Sequence, residues 1–146
     1  MATLTERIDT DYKTALKARD QRRVDTLRLI KASIQRVAMD KRKDQLDDPD
    51  VVQVLSQQAK QRRETLDAAT QGGRAELVTQ TNEELAIITG YLPQQLSPET
   101  IRRLVEEAIA AVGPNQGLIM KTVMAKAAGA ADGKTVSQLV AERLKR

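Results

Sequence analysis

Apolar residues along this chain recur every three or four positions and almost nowhere alternate, which is the period of helices and not of strands. Leu4, Ile8, Tyr12, Ala15 and Leu16 trace a first stripe, with Thr3 or Thr5 available as its cap. Val24, Leu27, Ile30, Ile34 and Val37 trace a second along a helix expected from about Gln21 to Lys43. Pro49 interrupts, and Asp50 is suited to cap a third helix whose stripe is Val51, Leu55, Ala59, Arg62, Leu66 and Ala69. That helix must stop at Gly72-Gly73. A fourth, from about Ala75 to Thr89, presents Leu77, Val78, Thr81, Leu85 and Ile88.

The next stretch, GYLPQQLSPE, reads as a boundary. Gly90 tolerates the left-handed conformation that ends helices, and Pro93 forces Leu92 out of helical geometry. Ser97, Pro98 and Glu99 are a helix start, with a hydroxyl cap, proline at the first position and an acid near the positive end. An aromatic at this hinge, Tyr91, has a ring to bury and a hydroxyl to satisfy with water or backbone. Three short helices follow, carried by Ile101 to Val112, Ile119 to Ala127 and Val136 to Leu144. The expected fold is all-α. It comprises an N-terminal multi-helix domain of long helices over residues 1–92 and a small C-terminal three-helix domain over residues 97–146.

Composition removes chemistry more than it adds any. At 146 residues the chain can bury a core, and it has neither cysteine nor histidine. Thiol nucleophiles, disulfides, imidazole bases and the usual zinc ligands are therefore absent. The charged first twenty residues lack the apolar segment of a signal peptide, and no run approaches a membrane span. A cytoplasmic location without membrane or metal partners is expected. The net charge of +4 hides a skew. Between Lys17 and Lys43 ten basic residues face three acids, Asp20, Asp25 and Asp40. Such a run is either solvated surface or a phosphate-facing one.

No catalytic, cofactor-binding or metal-ligating residue emerges. The segment GAADGKT at 129–135 has three residues between its glycines where a phosphate loop needs four, and no strand precedes it. Asp132 is better read as the cap of the last helix. The adjacent pairs Glu83-Glu84 and Glu106-Glu107 point apart on a helix, and Asp47, Asp48 and Asp50 lack the spacing of a calcium loop. Basic residues carry the remaining candidates. Lys121, Lys126 and Lys134 surround the Met120/Met124 helix and the turn after it, and if they share a surface they suit RNA phosphates. With only two aromatics to stack on bases, recognition would run through shape and backbone. Lys60, Arg62 and Arg63 are secondary candidates. Arg62 lies on an apolar stripe, so it must pair with an acid such as Glu84 or Asp25, or bind an anion.

GYLPQQLSPE, followed by GLIMKTVMAKAAGAADGKTVSQLV, resembles the GatB/YqeY family, and TLRLIKASI, KQRRETL, GGRAEL and EEL resemble its stand-alone YqeY branch. The resemblance spans nearly the whole chain. Gly117, Met120 and Met124 match the family's G-x-x-M-x-x-x-M run, and Ala131-Asp132-Gly133 its ADG turn. Leu118 stands where lysine is common and Lys121 where glycine is, a charge displaced by nearly one turn. The resemblance implies a tail shared with the GatB component of the tRNA-dependent amidotransferase, where it is a tRNA-contacting appendage, and a family label of carbon–nitrogen ligase with glutamine as amide donor. No counterpart of that enzyme's catalytic cradle is present. The expected role is a non-catalytic accessory or adaptor that binds tRNA through its tail. The alternatives are a protein-interaction module of the translation machinery and, third, an amide-transfer enzyme in its own right.

Overall fold

The computed structural model describes residues 2–145, and among them every regular element is helical. The order is α1 (Leu4–Ala18), α2 (Gln21–Asp40), α3 (Asp48–Gln71), α4 (Ala75–Thr89), α5 (Pro98–Val112), α6 (Gln116–Ala127) and α7 (Gly133–Leu144). They fall into two compact units, Met1–Leu92 and Pro93–Arg146. Among the described residues no helix is long and apolar enough to cross a membrane.

The first unit buries one cluster built from four helices. Ile8, Leu27, Ile30, Val51, Leu55 and Ile88 are its largest fully buried side chains. The stripes read from the sequence supply them, but Leu16 is 45% exposed and stays out of the core, and Leu66, Leu77 and Val78 do not join this cluster. Thr3 caps α1 by accepting from the Glu6 N–H. The helix then ends with Arg19 in the left-handed region, at φ 56°.

The turn between α2 and α3 departs from expectation. Helix α2 stops at Asp40, short of Lys43, because Arg42 turns left-handed (φ 56°) and the Lys43 N–H reaches back to the Ala38 carbonyl at 2.9 Å. This closes the helix as a Schellman motif with arginine in the position glycine usually takes. Asp47, not Asp50, caps α3, accepting from the Asp50 N–H at 3.0 Å. Pro49 belongs to the first turn, where its missing N–H costs nothing. The Asp50 carboxylate is thereby left for another use. It receives Lys41 on one oxygen and Lys43 on the other, both at 2.8 Å, and stitches the end of α2 to the start of α3. Leu46 is buried beneath this loop.

The two lysine hydrogen bonds hold the Asp50 carboxyl down at about 2. Its ordinary value in an unfolded chain is about 3.9, so folding favours the ionised form. The resulting stabilisation is complete above about pH 4 and is lost as pH falls toward 2. Acid titration of helicity is expected to show this loss in the native protein and not in Asp50→Asn, which removes the titrating group. Equal acid sensitivity of the two proteins counts against the pair.

Gly90 also differs from expectation. It stays right-handed (φ −61°), and the chain leaves α4 through a tightened turn in which the Tyr91 and Leu92 N–H groups reach Ile88 and Thr89 at 3.1 Å. Tyr91 is 6% exposed within the first cluster. Its hydroxyl donates not to backbone but to the Asp11 carboxylate on α1 at 2.5 Å. Arg7 covers the ring at 5.4 Å, and Arg23 approaches Asp11 at 4.0 Å. Burial, then the hydrogen bond to Asp11, raises the phenol well above its ordinary range. The hinge tyrosine is a clamp between α1 and the end of α4.

The second unit has its own cluster, centred on Ile101, Val105, Ile119, Val123, Val136 and Val140. Ser97 caps α5 with Pro98 behind it, Asn115 caps α6 and Asp132 caps α7, as their residue types predict. Gly113 turns left-handed (φ 79°) between α5 and α6, a conformation glycine adopts without steric cost. The Leu96 N–H donates to the Ala130 carbonyl at 2.7 Å, tying the segment before α5 to the turn after α6.

Candidate nucleic-acid interface

The three tail lysines come from two helices. Lys121 and Lys126 stand five residues apart on α6, about 140° around its axis. The buried residues of that helix are Ile119, Val123 and Ala127. Lys121 lies nearly opposite them, whereas Lys126 flanks them on the side of α5. There its ammonium meets the Glu107 carboxylate at 3.5 Å, both side chains about half exposed. The pair of lysines therefore brackets the outer surface of α6 instead of forming one row along it.

Lys134 occupies the first turn of α7, one residue after Gly133. A cation there opposes the helix dipole. The Asp132 carboxylate offsets it, accepting from the Thr135 N–H at 2.9 Å and from the Thr135 hydroxyl at 3.0 Å. Both oxygens of the ADG aspartate are engaged within the chain. The turn is built as a helix cap, and the negative charge a phosphate would bring is already in place. On the neighbouring face Arg143 of α7 bonds Glu106 of α5. Glu106 and Glu107 thus serve two different helices, as their divergent directions require.

The secondary candidates separate as well. Lys60 is exposed and Arg63 half-buried. Arg62 is committed within the fold. Its Nε donates to Glu84 on α4 at 3.0 Å and its Nη1 to Gln58 at 2.9 Å, with only 16% of its side chain exposed. Gln58 passes the chain on, donating to the Ser33 hydroxyl on α2 at 2.9 Å, and Gln80 donates to the second oxygen of Glu84. One polar relay therefore ties α2, α3 and α4. Of the two acids considered for Arg62, Glu84 is the partner; Asp25 instead accepts from Gln21.

Two further arrangements go beyond what the sequence predicts, one cationic and one rich in amides. Tyr12 is covered by Lys31 at 4.5 Å and Arg28 at 6.0 Å, and its hydroxyl accepts from Arg28 at 3.3 Å. Beside α2 and α3 runs an open groove of about 210 Å³. Its lining includes Arg36, Gln53, Gln57 and Gln61. The four-residue spacing of these three glutamines was the available signal. Among the described residues no three acidic side chains converge as metal ligands.

A family model described as "Yqey-like protein" covers residues 5–144. No curated protein matches the chain.

Proposed function

Because the chain belongs to the Yqey-like protein family, we propose that it acts in the cytoplasm as a non-catalytic accessory of translation. Its tail is the RNA-binding part, related to the C-terminal domain of the GatB component of the tRNA-dependent amidotransferase. The observation that carries the reading is the exposure of Lys121 and Lys126 on two sides of α6, with Lys134 also exposed on α7. From residue 93 onward, eight basic residues face five acidic ones. The Lys126–Glu107 pair is exposed and so contributes at most about 1 kcal/mol; a phosphate replaces the carboxylate at little cost. Lysines spread over two helices suit a sugar–phosphate backbone passing over them better than one phosphate held in a cradle.

The test is a titration with unmodified tRNA at two or more salt concentrations. Affinity is expected to fall steeply with salt. Each of Lys121→Ala, Lys126→Ala and Lys134→Ala is expected to weaken binding and to reduce the log–log salt slope by about 1. Absence of binding at ~100 μM, the loose end of non-specific affinities, or binding indifferent to salt, overturns the reading.

A further inference from the structure

We propose that the solvent face of α2 is a docking site for an acidic amphipathic helix of a partner protein. Leu29 and Met39 are 53% and 77% exposed, and both belong to this one helix. With Ala32 and Arg36, also exposed, they are spaced three, four and three residues apart. That is the a/d spacing of a coiled-coil seam, and it confines all four to an arc of about 80°. The helix thus carries two seams. One, through Val24, Leu27, Ile30 and Ile34, is buried in the first unit; the other has no partner among the described residues.

Charge selects the occupant. Arg36 stands within the exposed seam and Arg28 beside it, in the stretch where ten basic residues face three acids. The two acids of this face, Asp25 and Asp40, lie beyond the seam's ends. An arginine at a seam position is satisfied by a carboxylate from the facing helix and opposed by another cation. In a second copy of this chain Arg36 would meet Arg36 if the helices ran parallel and Ala32 if they ran antiparallel about the seam's centre, so neither arrangement sets a carboxylate opposite its guanidinium. Phosphate backbone would leave Leu29 and Met39 facing a charged strand, and the nearest aromatic, Tyr12, already lies beneath Lys31 and Arg28. On its other side Arg36 reaches the groove with Gln53, Gln57 and Gln61, which offers amide partners to the polar flank of a docked helix; Asp50, which also lines it, is already bonded to Lys41 and Lys43.

The experiment uses the full chain, isotopically labelled, and two synthetic three-heptad peptides. Both have leucine at a and d; one has glutamate and the other lysine at e and g. The glutamate peptide is expected to bind and to shift the backbone amide signals of residues 28–40, with the lysine peptide at least ~10-fold weaker. Arg36→Glu is expected to reverse that preference, and Leu29→Glu with Met39→Glu to abolish binding at unchanged helicity. If the double variant loses helicity, the Arg36→Glu reversal decides alone. Equal affinity for both peptides, or shifts confined to other helices, overturns the proposal. So does a dimer in sedimentation that Leu29→Glu dissociates, or movement of the same amides by tRNA and by neither peptide.

Discussion

Leu55→Ala lowers the unfolding free energy by about 2–5 kcal/mol, the range for truncating a fully buried leucine. Leu55 is 0% exposed on α3, inside the cluster where α1, α2, α3 and the end of α4 meet. Removing three of its carbons forfeits the transfer free energy and leaves a cavity that interlocked helices close only in part. The control is Leu29→Ala on α2, where 53% of the side chain already faces solvent. It is expected to change stability by no more than about 0.5 kcal/mol. Urea denaturation followed by helicity measures both. The Leu55 variant should lose midpoint concentration at constant slope, since the surface exposed on unfolding barely changes. A loss below about 1 kcal/mol for Leu55→Ala, or equal losses for the two leucines, shows that the burial pattern is wrong.

These two leucines also mark how far the sequence could be read. The buried seam of α2 was legible because its apolar residues recur at helical spacing, and the same logic located every helix. Local chemistry placed the caps at Ser97 and Asp132, where one candidate side chain preceded one helix. It failed at Asp47 and Asp50, because four acids crowd into seven residues and each satisfies the same rule. What decides between them is the surrounding turn: Lys41 and Lys43 take the Asp50 carboxylate, and Pro49 sits in the first turn because the cap lies before it. The Tyr91–Asp11 bond joins residues 80 positions apart, a separation at which no local pattern carries information. The exposed seam of α2 was visible in principle, yet Ala32 and Arg36 at two of its four positions hid it beneath the stronger apolar stripe. The tail lysines are legible as residues but not as an arrangement. Their directions depend on which face of α6 is buried, and Met120 and Met124 left that face ambiguous.

Arg62 tests whether a basic residue singled out for RNA is instead holding the fold. Arg62→Met keeps most of the side-chain volume but strands the Glu84 carboxylate with Gln80 as its remaining donor. Breaking a fully buried pair in this way costs about 3–5 kcal/mol. The 16% and 15% exposure of these two side chains admits water, so a loss of about 2–3 kcal/mol is expected. Adding Glu84→Leu removes the stranded charge and is expected to recover stability to within about 1 kcal/mol of the native protein. The recovery is diagnostic because a surface arginine would show neither the loss nor the rescue. Both proteins should bind tRNA as the native chain does, since the guanidinium is already bonded to Glu84 and Gln58. If Arg62→Met leaves stability within about 0.5 kcal/mol and weakens tRNA binding, the arginine serves the ligand, and the relay from Ser33 to Glu84 is incidental to the fold.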